Sequence, residues 1–192
     1  MKYCNLCGGD LVHRVPPDDN RKRHVCTRCG YVHYQNPRII AGSIPEWQGQ
    51  VLLCKRAIEP RLGLWTLPAG YMELGETTAQ AALRETLEEA NARVEVSELY
   101  TVISLPHVDQ VYMMYRARLL DLEFSPGAET EQVQLFAPDQ IPWDRLAFGT
   151  VRHTLEFYLQ DQERGEFVPR CGDLVRDAGG YRFRMGPLAA GA

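Results

Sequence analysis

The stretch Gly70–Glu89, GYMELGETTAQAALRETLEE, decides more about the fold than any other part of the chain. Gly70 and Gly75 lie in a predicted loop that leaves a strand and enters a helix. Thr77 is placed to cap this helix, and Gln80, three residues later, is its expected capping-box partner. We therefore predict a strand, a loop and a helix in this order.

The predicted helix has one acidic face. A helix turns by about 100° per residue, so Glu85, Glu88 and Glu89 cover roughly a quarter to a third of its circumference. The other side carries the residues expected to be buried, which are Ala79, Ala82, Leu83, Thr86, Leu87 and Ala90. Three carboxylates on one face repel each other, and a divalent cation among them would relieve that repulsion. Oxygen ligands alone favour Mg²⁺ or Mn²⁺, whereas a plain solvated helix rich in glutamate is the alternative.

The spacing of the charged residues resembles the Nudix box, the signature of the Nudix hydrolases. The matching positions are Gly70, Glu76, Arg84, Glu85, Glu88 and Glu89. This family usually has an aliphatic residue in place of Thr86, and a glycine followed by an aliphatic residue in place of Asn91 and Ala92. Asn91 tolerates the left-handed conformation that a helix-ending glycine supplies, and Thr86 changes packing rather than chemistry.

The resemblance implies an α/β/α sandwich with a mixed sheet, and hydrolysis of a nucleoside diphosphate linked to another group. Metal ions would bridge the carboxylates and the phosphate oxygens. The ligands implied for Mg²⁺ or Mn²⁺ are the backbone carbonyl of Gly70 and the carboxylates of Glu85, Glu88 and Glu89. Arg84 is implied to steady the neighbouring glutamates, and Glu76 is the acid at the helix entry.

The general base is not specified by the box. Within the Nudix family it is a box glutamate, or an acid or histidine from a later loop. The candidates in this chain are Glu89, Glu129, Glu131 and His107. For the two acids of the PGAETEQV segment the alternative is a solvated acidic loop, and for the histidine it is simple exposure.

Four of the six cysteines form two pairs, Cys4-x-x-Cys7 and Cys26-x-x-Cys29, each followed by a glycine. Two such pairs at this separation predict a zinc ribbon with four thiolate ligands. Four protein ligands close the coordination sphere, so the predicted Zn²⁺ is structural. A redox pair, the alternative, needs a βαβ context that this segment lacks.

The composition is that of an ordinary globular protein, with 192 residues, 45% of them hydrophobic and 24% charged. No apolar run approaches membrane-spanning length, and MKYCNLCGGD has no apolar segment of a secretory signal. We expect a cytoplasmic protein with no membrane partner. Residues 1–37 carry six basic and three acidic residues, so the net charge of −4 leaves −7 for the rest. The charge of +3 on residues 1–37 is too weak to indicate nucleic-acid binding.

We predict an α/β protein in three segments: a zinc ribbon in residues 1–36, a Nudix hydrolase domain in 37–163, and a C-terminal extension in 164–192. The segments RIIAGSIPEW and QVLLCKRA predict a hairpin. The other expected elements are strands in 92–104, 108–120 and 132–136, a helix in 149–160, and a late strand at YRFRM.

The segments around the box narrow the substrate class. A ribbon ending in HYQNP, residues 33–37, and a box entered through LWTLPAG, residues 64–70, resemble ADP-ribose and FAD pyrophosphatases. Pro106 fits a marker of ADP-ribose hydrolases. Hydrolysis would give AMP and a phosphorylated product. Aromatic side chains that could contact adenine are Trp47, Trp65, Tyr71, Tyr112 and Tyr115.

Two alternatives stay open. The first is another Nudix enzyme, either an NADH pyrophosphatase or a nucleoside triphosphate pyrophosphatase; residues 104–107 (SLPH) differ from the Ser-Gln-Pro-Trp-Pro-type motif of NADH pyrophosphatases. The second is a zinc-ribbon module that binds RNA or protein beside a non-catalytic Nudix domain, against which the intact box argues. The resemblance also implies a homodimer.

Overall fold

The computed structural model describes residues 1–177 and 180–186. The chain forms two compact units, Met1–Pro37 and Arg38–Ala192. Residues 178–179 and 187–192, which belong to the predicted C-terminal extension, lie outside the described residues. In the part of the chain that is described, no helix combines the length and apolar character needed to span a bilayer.

The first unit is a three-stranded antiparallel sheet of β1 (Leu11–Arg14), β2 (Arg23–Cys26) and β3 (Val32–His33). The two Cys-x-x-Cys-Gly segments form equivalent turns beside this sheet. The Gly8 N–H donates to the carbonyl of Cys4 at 2.9 Å, and the Gly30 N–H donates to that of Cys26 at 3.1 Å. Both glycines have positive φ, at 68° and 73°, which is a conformation that glycine adopts without strain.

The second unit is built on one mixed sheet of nine strands. They are β4 (Arg38–Trp47), β5 (Gln50–Arg56), β6 (Trp65–Thr66), β7 (Ala69–Tyr71), β8 (Val94–Leu105), β9 (Gln110–Leu119), β10 (Thr130–Phe136), β11 (Arg170–Asp177) and β12 (Gly180–Met185). The order is β10-β5-β4-β9-β8-β11-β12, with β6 on β5 and β7 on β4. The β4–β9 and β8–β11 pairs are parallel and the other pairs are antiparallel.

Within the described residues, two α-helices cover the sheet, α1 (Thr78–Ala90) and α2 (Gly149–Arg164), and short 3₁₀ turns lie at Pro138–Gln140 and Trp143–Arg145. Strand β5 shows why both faces need cover, because its side chains alternate. Leu53 packs in the cluster that contains Leu155 of α2, whereas Cys54 packs in the cluster that contains Ala90 of α1. The predicted α/β/α sandwich with a mixed sheet is therefore confirmed.

The hairpin of β4 and β5 opens immediately after its tip. The two strands pair only at Glu46↔Val51 and Trp47↔Gln50. Beyond these pairs, β6 binds the edge of β5 and β7 binds that of β4. The sheet therefore has a split, and the segment that leads into the predicted box runs through it.

Strand β11 was missed by the sequence analysis, although the late strand at YRFRM is present as β12. Arg170 at the start of β11 binds Asp161 of α2, with Nη2 donating to Oδ1 at 2.6 Å. The hydroxyl of Tyr100 donates to Oδ2 of the same carboxylate at 2.8 Å. The Arg170 guanidinium is the main reason that the pKa of Asp161 lies well below its usual range. This largely buried ion pair joins the start of β11 to α2, and Tyr100 links it to β8.

Helix α1 begins and ends as predicted. The Gln80 N–H donates to Oγ1 of Thr77 at 3.2 Å, and the Thr77 N–H donates to Oε1 of Gln80 at 2.8 Å. Asn91 ends the helix in the left-handed conformation, with φ of 47°. One part of the prediction was wrong, because Leu83 and Leu87 are 44% and 50% exposed.

The error follows from the small residues of α1. Ala81 and Ala82 pack with Ala41 of β4, and small side chains allow the helix to lie close to the sheet. The buried face is centred on these alanines and on Thr86, and it includes Glu85 and Glu89, each 9% exposed. The acidic residues therefore flank the contact with the sheet, and the two leucines point away from it.

Thr86 has a polar partner that explains its departure from the family pattern. Its Oγ1 lies 2.6 Å from Oγ of Ser43 and donates to the carbonyl of Ala82 at 2.7 Å. Both hydroxyl-bearing residues are fully buried.

Thr86→Val is expected to lower the free energy of unfolding by about 1–3 kcal/mol, because the buried Ser43 hydroxyl would lose the one hydrogen-bond partner that it has among the described residues. The double variant Ser43→Ala/Thr86→Val, which removes both hydroxyls, should recover most of that loss. Urea denaturation of the three proteins measures the difference. An equal loss in the single and double variants would contradict this account.

Candidate functional site

A cavity of about 730 Å³ lies at the split in the sheet. Strands β4, β5, β6, β7 and β9, both helices and the loop before β10 contribute to its wall. Its lining residues include Arg56, Gly70, Tyr71, Arg84, Glu85, Glu88, Glu89, Gln110, Tyr112, Glu129, Phe148 and Thr150.

Arg84 lies among the carboxylates and binds three of them. Its Nη1 donates to Glu85 at 2.6 Å and to Glu88 at 3.0 Å. Its Nε and Nη2 donate to the two oxygens of Glu76 at 3.1 and 2.8 Å, and Nη2 also donates to the Tyr71 carbonyl at 3.0 Å. The guanidinium holds the pKa of Glu76 below its usual value. Arg84 therefore fixes the loop to the helix and offsets part of the repulsion.

Glu85 and Gly70 are in direct contact. A β-carbon at Gly70 would lie 2.4 Å from the carboxylate of Glu85, so no larger residue fits there without displacing the acid. This close approach places the backbone of β7 at Gly70 beside a helix carboxylate. The two groups are neighbours in space although they lie 15 positions apart in the chain.

Glu89 is one of the two buried acids of the cavity, together with Glu85. Burial, followed by the nearby charge of Glu85, raises the pKa of Glu89 to about 8. Its one hydrogen bond within the described residues comes from the Ala69 N–H, at 3.3 Å from Oε2. Burial also raises the pKa of Glu85, against the effect of Arg84. The positive charge of Arg56 lowers the pKa of Glu89 only in part, so an ionised Glu89 favours a further cation beside it.

The donor set fits a hard divalent cation. It contains the Glu85, Glu88 and Glu89 carboxylates and the Gly70 carbonyl, all of them oxygen, which is the chemistry that Mg²⁺ and Mn²⁺ prefer. The Glu88 side chain is 59% exposed, so it lies at the mouth of the cavity.

The loop before β10 brings Glu129 into the same cavity. A β-carbon at Gly127 would lie 1.7 Å from the Glu88 carbonyl, so only glycine lets the loop approach the helix this closely. The Gly127 N–H donates to the Glu89 carbonyl at 3.0 Å. Nδ2 of Asn91 lies 3.2 Å from the carbonyls of Ser125 and Pro126. Asn91 thus ends the helix and also holds the loop.

The other two candidate bases lie elsewhere. Glu131 is paired with Lys55 at 3.0 Å in an exposed salt bridge, and it is not part of the cavity wall. His107 packs against the ring of Tyr181, with centroids 5.2 Å apart, and it is also absent from the wall. Among the loop candidates, the structure brings only Glu129 to the α1 carboxylates.

Two of the five aromatic candidates line the cavity, Tyr71 and Tyr112. Nε2 of Gln110 donates to the Tyr71 hydroxyl at 3.1 Å. The other three pack in the hydrophobic clusters: Trp65, Trp47 and Tyr115. The sequence could not separate these groups because all five lie in or beside strands.

The wall also contains residues that were not predicted, among them Arg56, Gln110, Phe148 and Thr150. The first two lie at strand ends facing the split, and the other two lie at the start of α2. The sequence offers one signal for the residues at the start of α2. The residue at the N-cap is Phe148, whose side chain makes no capping hydrogen bond.

The four cysteines of the first unit converge on one point. Their sulfur atoms all lie within 4.8 Å of one another, with 3.8 Å between Cys4 and Cys29 and 3.4 Å between Cys7 and Cys26. Tetrahedral zinc with Zn–S bonds of about 2.3 Å separates its sulfurs by about 3.8 Å. Nε2 of His33 lies 3.4 Å from the Cys4 sulfur.

The turn around Cys26 favours a thiolate. Backbone N–H groups of Cys29 and Arg28 lie 3.5 and 3.4 Å from its sulfur. They are the main cause that lowers the pKa of Cys26 to about 6. The predicted cysteine cluster is thus present, with the donor chemistry of a structural metal site.

Comparison with protein families gives two matches along the chain. The model described as Nudix N-terminal, a zinc ribbon, matches residues 2–35. The model of the NUDIX domain matches residues 38–177.

Individual relatives agree with these matches. The crystal structure of a NUDIX hydrolase from Nitrosomonas europaea is 52% identical, has a TM-score of 0.89, and covers 91% of this chain and 99% of its own. An ADP-ribose pyrophosphatase from Methanocaldococcus jannaschii is 30% identical over 62% of this chain and 71% of its own length. An NAD-capped RNA hydrolase from Pseudomonas aeruginosa is 26% identical over 82% of this chain, but this match spans only 55% of that relative.

Proposed function

Because the chain belongs to the Nudix hydrolase family, we propose that it hydrolyses the diphosphate linkage of a nucleoside diphosphate derivative in a metal-dependent reaction. The observation that carries this proposal is the convergence of Gly70, Glu85, Glu89 and Glu129 in one cavity. These groups come from three separate segments, and a merely solvated acidic helix would not gather them.

The proposed ligands of the catalytic cation are the Gly70 carbonyl and the carboxylates of Glu85, Glu88 and Glu89. When bound, Mg²⁺ or Mn²⁺ would neutralise the phosphate charge and acidify the attacking water. The Zn²⁺ proposed at Cys4, Cys7, Cys26 and Cys29 is structural and takes no part in this step.

The protein's own side chains hold the metal-binding carboxylates in position and remove a proton from the attacking water. Arg84, bound to Glu76, Glu85 and Glu88, holds these carboxylates in place before substrate arrives. We assign to Glu129 the role of general base, because its loop is tied to α1 and its side chain lines the cavity. Glu89 is the alternative base within the same cavity.

For the substrate, we propose ADP-ribose or FAD, with AMP and a phosphorylated product. Tyr71 and Tyr112 give the cavity two aromatic walls for adenine, and the amide of Gln110 lies beside them. The archaeal relative named for ADP-ribose supports this choice.

A second candidate substrate is an NAD cap on RNA. The relative named for this activity aligns with this chain over 160 residues. The NUDIX domain match, from residue 38 to residue 177, is shorter than that alignment. The alignment therefore extends outside the hydrolase domain. The weak positive charge of residues 1–37 argues against tight RNA binding.

A parallel screen tests both candidates. Zinc-loaded protein is incubated with Mg²⁺ or Mn²⁺ and with ADP-ribose, FAD, NADH, NAD-capped RNA or nucleoside triphosphates, and AMP release is followed by chromatography. We expect the highest kcat/KM for ADP-ribose or FAD. A wide preference for triphosphates or capped RNA would refute the substrate proposal, and no hydrolysis of any compound would favour the binding-module alternative.

The boundaries at residues 36 and 163, a homodimer and a cytoplasmic location stay predictions. Gel filtration with light scattering measures the oligomeric state directly.

A further inference from the structure

The two Cys-x-x-Cys-Gly turns differ in the donors that reach their first sulfur. In the second turn, the Cys26 sulfur lies 3.4 Å from the backbone nitrogen of Arg28 and 3.5 Å from that of Cys29. In the first turn, no backbone N–H of the described residues makes such a bond to the Cys4 sulfur. The backbones of the two turns are otherwise alike, because the glycine of each donates to the carbonyl of its first cysteine. The Cys4 sulfur therefore lacks the donors that its counterpart has.

The imidazole of His33 takes the place of these donors. Its Nε2 lies 3.4 Å from the Cys4 sulfur, which matches the shorter of the two backbone contacts in the other turn. His33 and Cys4 are 6% and 3% exposed, so water competes little for this contact. Strand pairing with His24 fixes the backbone of His33. The Tyr31 ring meets the imidazole edge to face, with centroids 4.7 Å apart, and holds its plane.

The chemistry of a metal-bound sulfur decides which partner carries the proton. The thiolate, not the thiol, is the metal ligand, so a zinc-bound sulfur only accepts hydrogen bonds. The contact is therefore favourable when the Nε2 of His33 carries the hydrogen. Four thiolates leave a Zn²⁺ site with a net negative charge, and a donor to sulfur offsets part of that charge. The Nη1 of Arg28 donates to the Cys7 carbonyl at 3.0 Å rather than to a sulfur.

His33 is not itself one of the converging ligands. Among the described residues, the side chains whose donor atoms lie within 4.8 Å of one another are the four cysteines alone. Four thiolates already complete a tetrahedral zinc site. His33 thus lies outside the expected coordination sphere and in contact with one member of it.

We propose that His33 donates its Nε2 hydrogen to the zinc-bound Cys4 thiolate and thereby keeps the N-terminal unit loaded with metal. His33 is a positioning residue, because it acts on the metal through the sulfur and ties β3 to the first turn. The inference rests on the zinc site of the proposed function and not on the hydrolase reaction. It gives a physical role to the histidine of HYQNP, residues 33–37.

This hydrogen bond is directly observable in full-length protein whose zinc is replaced by ¹¹³Cd²⁺. A proton that is hydrogen-bonded to a cadmium-bound sulfur couples to the ¹¹³Cd nucleus, so a ¹H–¹¹³Cd correlation spectrum detects it. We expect a cross-peak from the Nε2 proton of His33. The amide protons of Arg28 and Cys29 should give cross-peaks through the Cys26 sulfur, and they are the internal control. Control peaks without a His33 peak would overturn the proposal, and so would a His33 ring nitrogen coupled directly to cadmium.

His33→Phe removes the donor and keeps an aromatic ring against Tyr31. This variant should transfer zinc to a chelator faster than the wild type and raise the Kd for zinc by about 10–100-fold, which is typical when the hydrogen-bond partner of a metal ligand is removed. His33→Gln keeps an N–H donor in its side-chain amide and should lie between His33→Phe and the wild type. The colour of a zinc-binding dye, added at equal protein concentrations, follows the transfer.

His24→Phe is the matched control. His24 is the residue of β2 that pairs with His33, but its ring stacks on that of His13, with centroids 5.1 Å apart, and not on a sulfur. His24→Phe should release zinc at the wild-type rate. Equal acceleration in both phenylalanine variants would indicate a general loosening of the small sheet and would overturn the proposal. If His33→Phe does not fold, His33→Gln and the cadmium spectrum of the wild type decide the question.

The outcomes separate this inference from the proposed function. A purified wild type that binds no zinc would refute the zinc site and the role of His33 together, whatever the hydrolase domain does. Zinc bound equally tightly by the wild type and by His33→Phe would leave the zinc site standing and remove only the role of His33. Neither result bears on metal-dependent hydrolysis, which the substrate screen measures separately.

Discussion

Glu89→Gln is expected to lower kcat by roughly 10²–10⁴-fold, because losing a proposed metal ligand removes several kcal/mol of transition-state stabilisation. Glutamine has nearly the shape of a protonated glutamate, so the fold should survive. Initial rates with saturating Mg²⁺ and the preferred substrate measure the effect. Glu88→Gln is expected to act in the same direction, since it removes a second ligand.

Glu131→Gln is the control, because Glu131 carries the same side chain but pairs with Lys55 away from the cavity. It should keep a near wild-type rate. A Glu89→Gln enzyme with near wild-type turnover would remove Glu89 from the metal site.

The Glu89→Gln variant should be more stable than the wild type at neutral pH in buffer without Mg²⁺ or Mn²⁺. The pKa of Glu89 is raised to about 8 in the folded protein, whereas an unfolded glutamate has a pKa of about 4.3. The free energy of unfolding of the wild type therefore falls as pH rises from about 4.3 to 8. Over this range the unfolded chain has released the Glu89 proton, whereas the folded protein keeps it. Glutamine carries no such penalty, and thermal melts at pH 5 and pH 7.5 should show a difference that grows with pH.

Removal of zinc is expected to unfold residues 1–37 while the hydrolase domain keeps its fold. This unit has three short strands of four, four and two residues. Domains below about 40 residues usually need a metal or disulfides for stability, and structural zinc contributes about 10–16 kcal/mol in zinc-finger peptides. Hydrogen exchange before and after chelation should show lost protection in β1–β3 and retained protection in β4, β5 and β9.

Two cysteine variants sharpen this experiment. Cys26→Ser removes one of the four converging sulfurs and should expose the N-terminal unit to protease without any chelator. Cys171→Ser changes an exposed cysteine of β11 outside the cluster and should have no such effect. Unchanged proteolysis of residues 1–37 after verified zinc loss would refute the ribbon.

The part of the site on α1 could be predicted from the sequence because it depends on interactions between residues close together in the chain. A cap at Thr77, a stop at Asn91 and charges at fixed spacing all act within one helix. What failed was the orientation of Leu83 and Leu87, since hydrophobicity alone favours burying them. Close packing against β4 requires small residues instead, so the alanines take the buried face.

The Arg56 side of the cavity could not be predicted because it forms through long-range contacts. Arg56 lies 92 positions before Phe148, and its guanidinium carbon is 5.3 Å from the centre of the Phe148 ring because the segment before α2 docks beside β6. There Leu146 pairs with Trp65, and the Ala147 N–H donates to the Trp65 carbonyl at 2.8 Å. A single arginine and a single phenylalanine carry no sequence signal of such a contact.

Asn91 gives the enzyme a point of chemical ageing. Its amide nitrogen is the donor that ties the helix end to the carbonyls of Ser125 and Pro126. Deamidation to aspartate would keep a residue that tolerates left-handed backbone, but it would place a carboxylate against two carbonyl oxygens. The loop that carries Glu129 would then be held to the helix end by its backbone alone, through the bonds from the Ser125 and Gly127 N–H groups to the carbonyls of Ala90 and Glu89. An aged preparation would therefore lose turnover with little change in melting temperature.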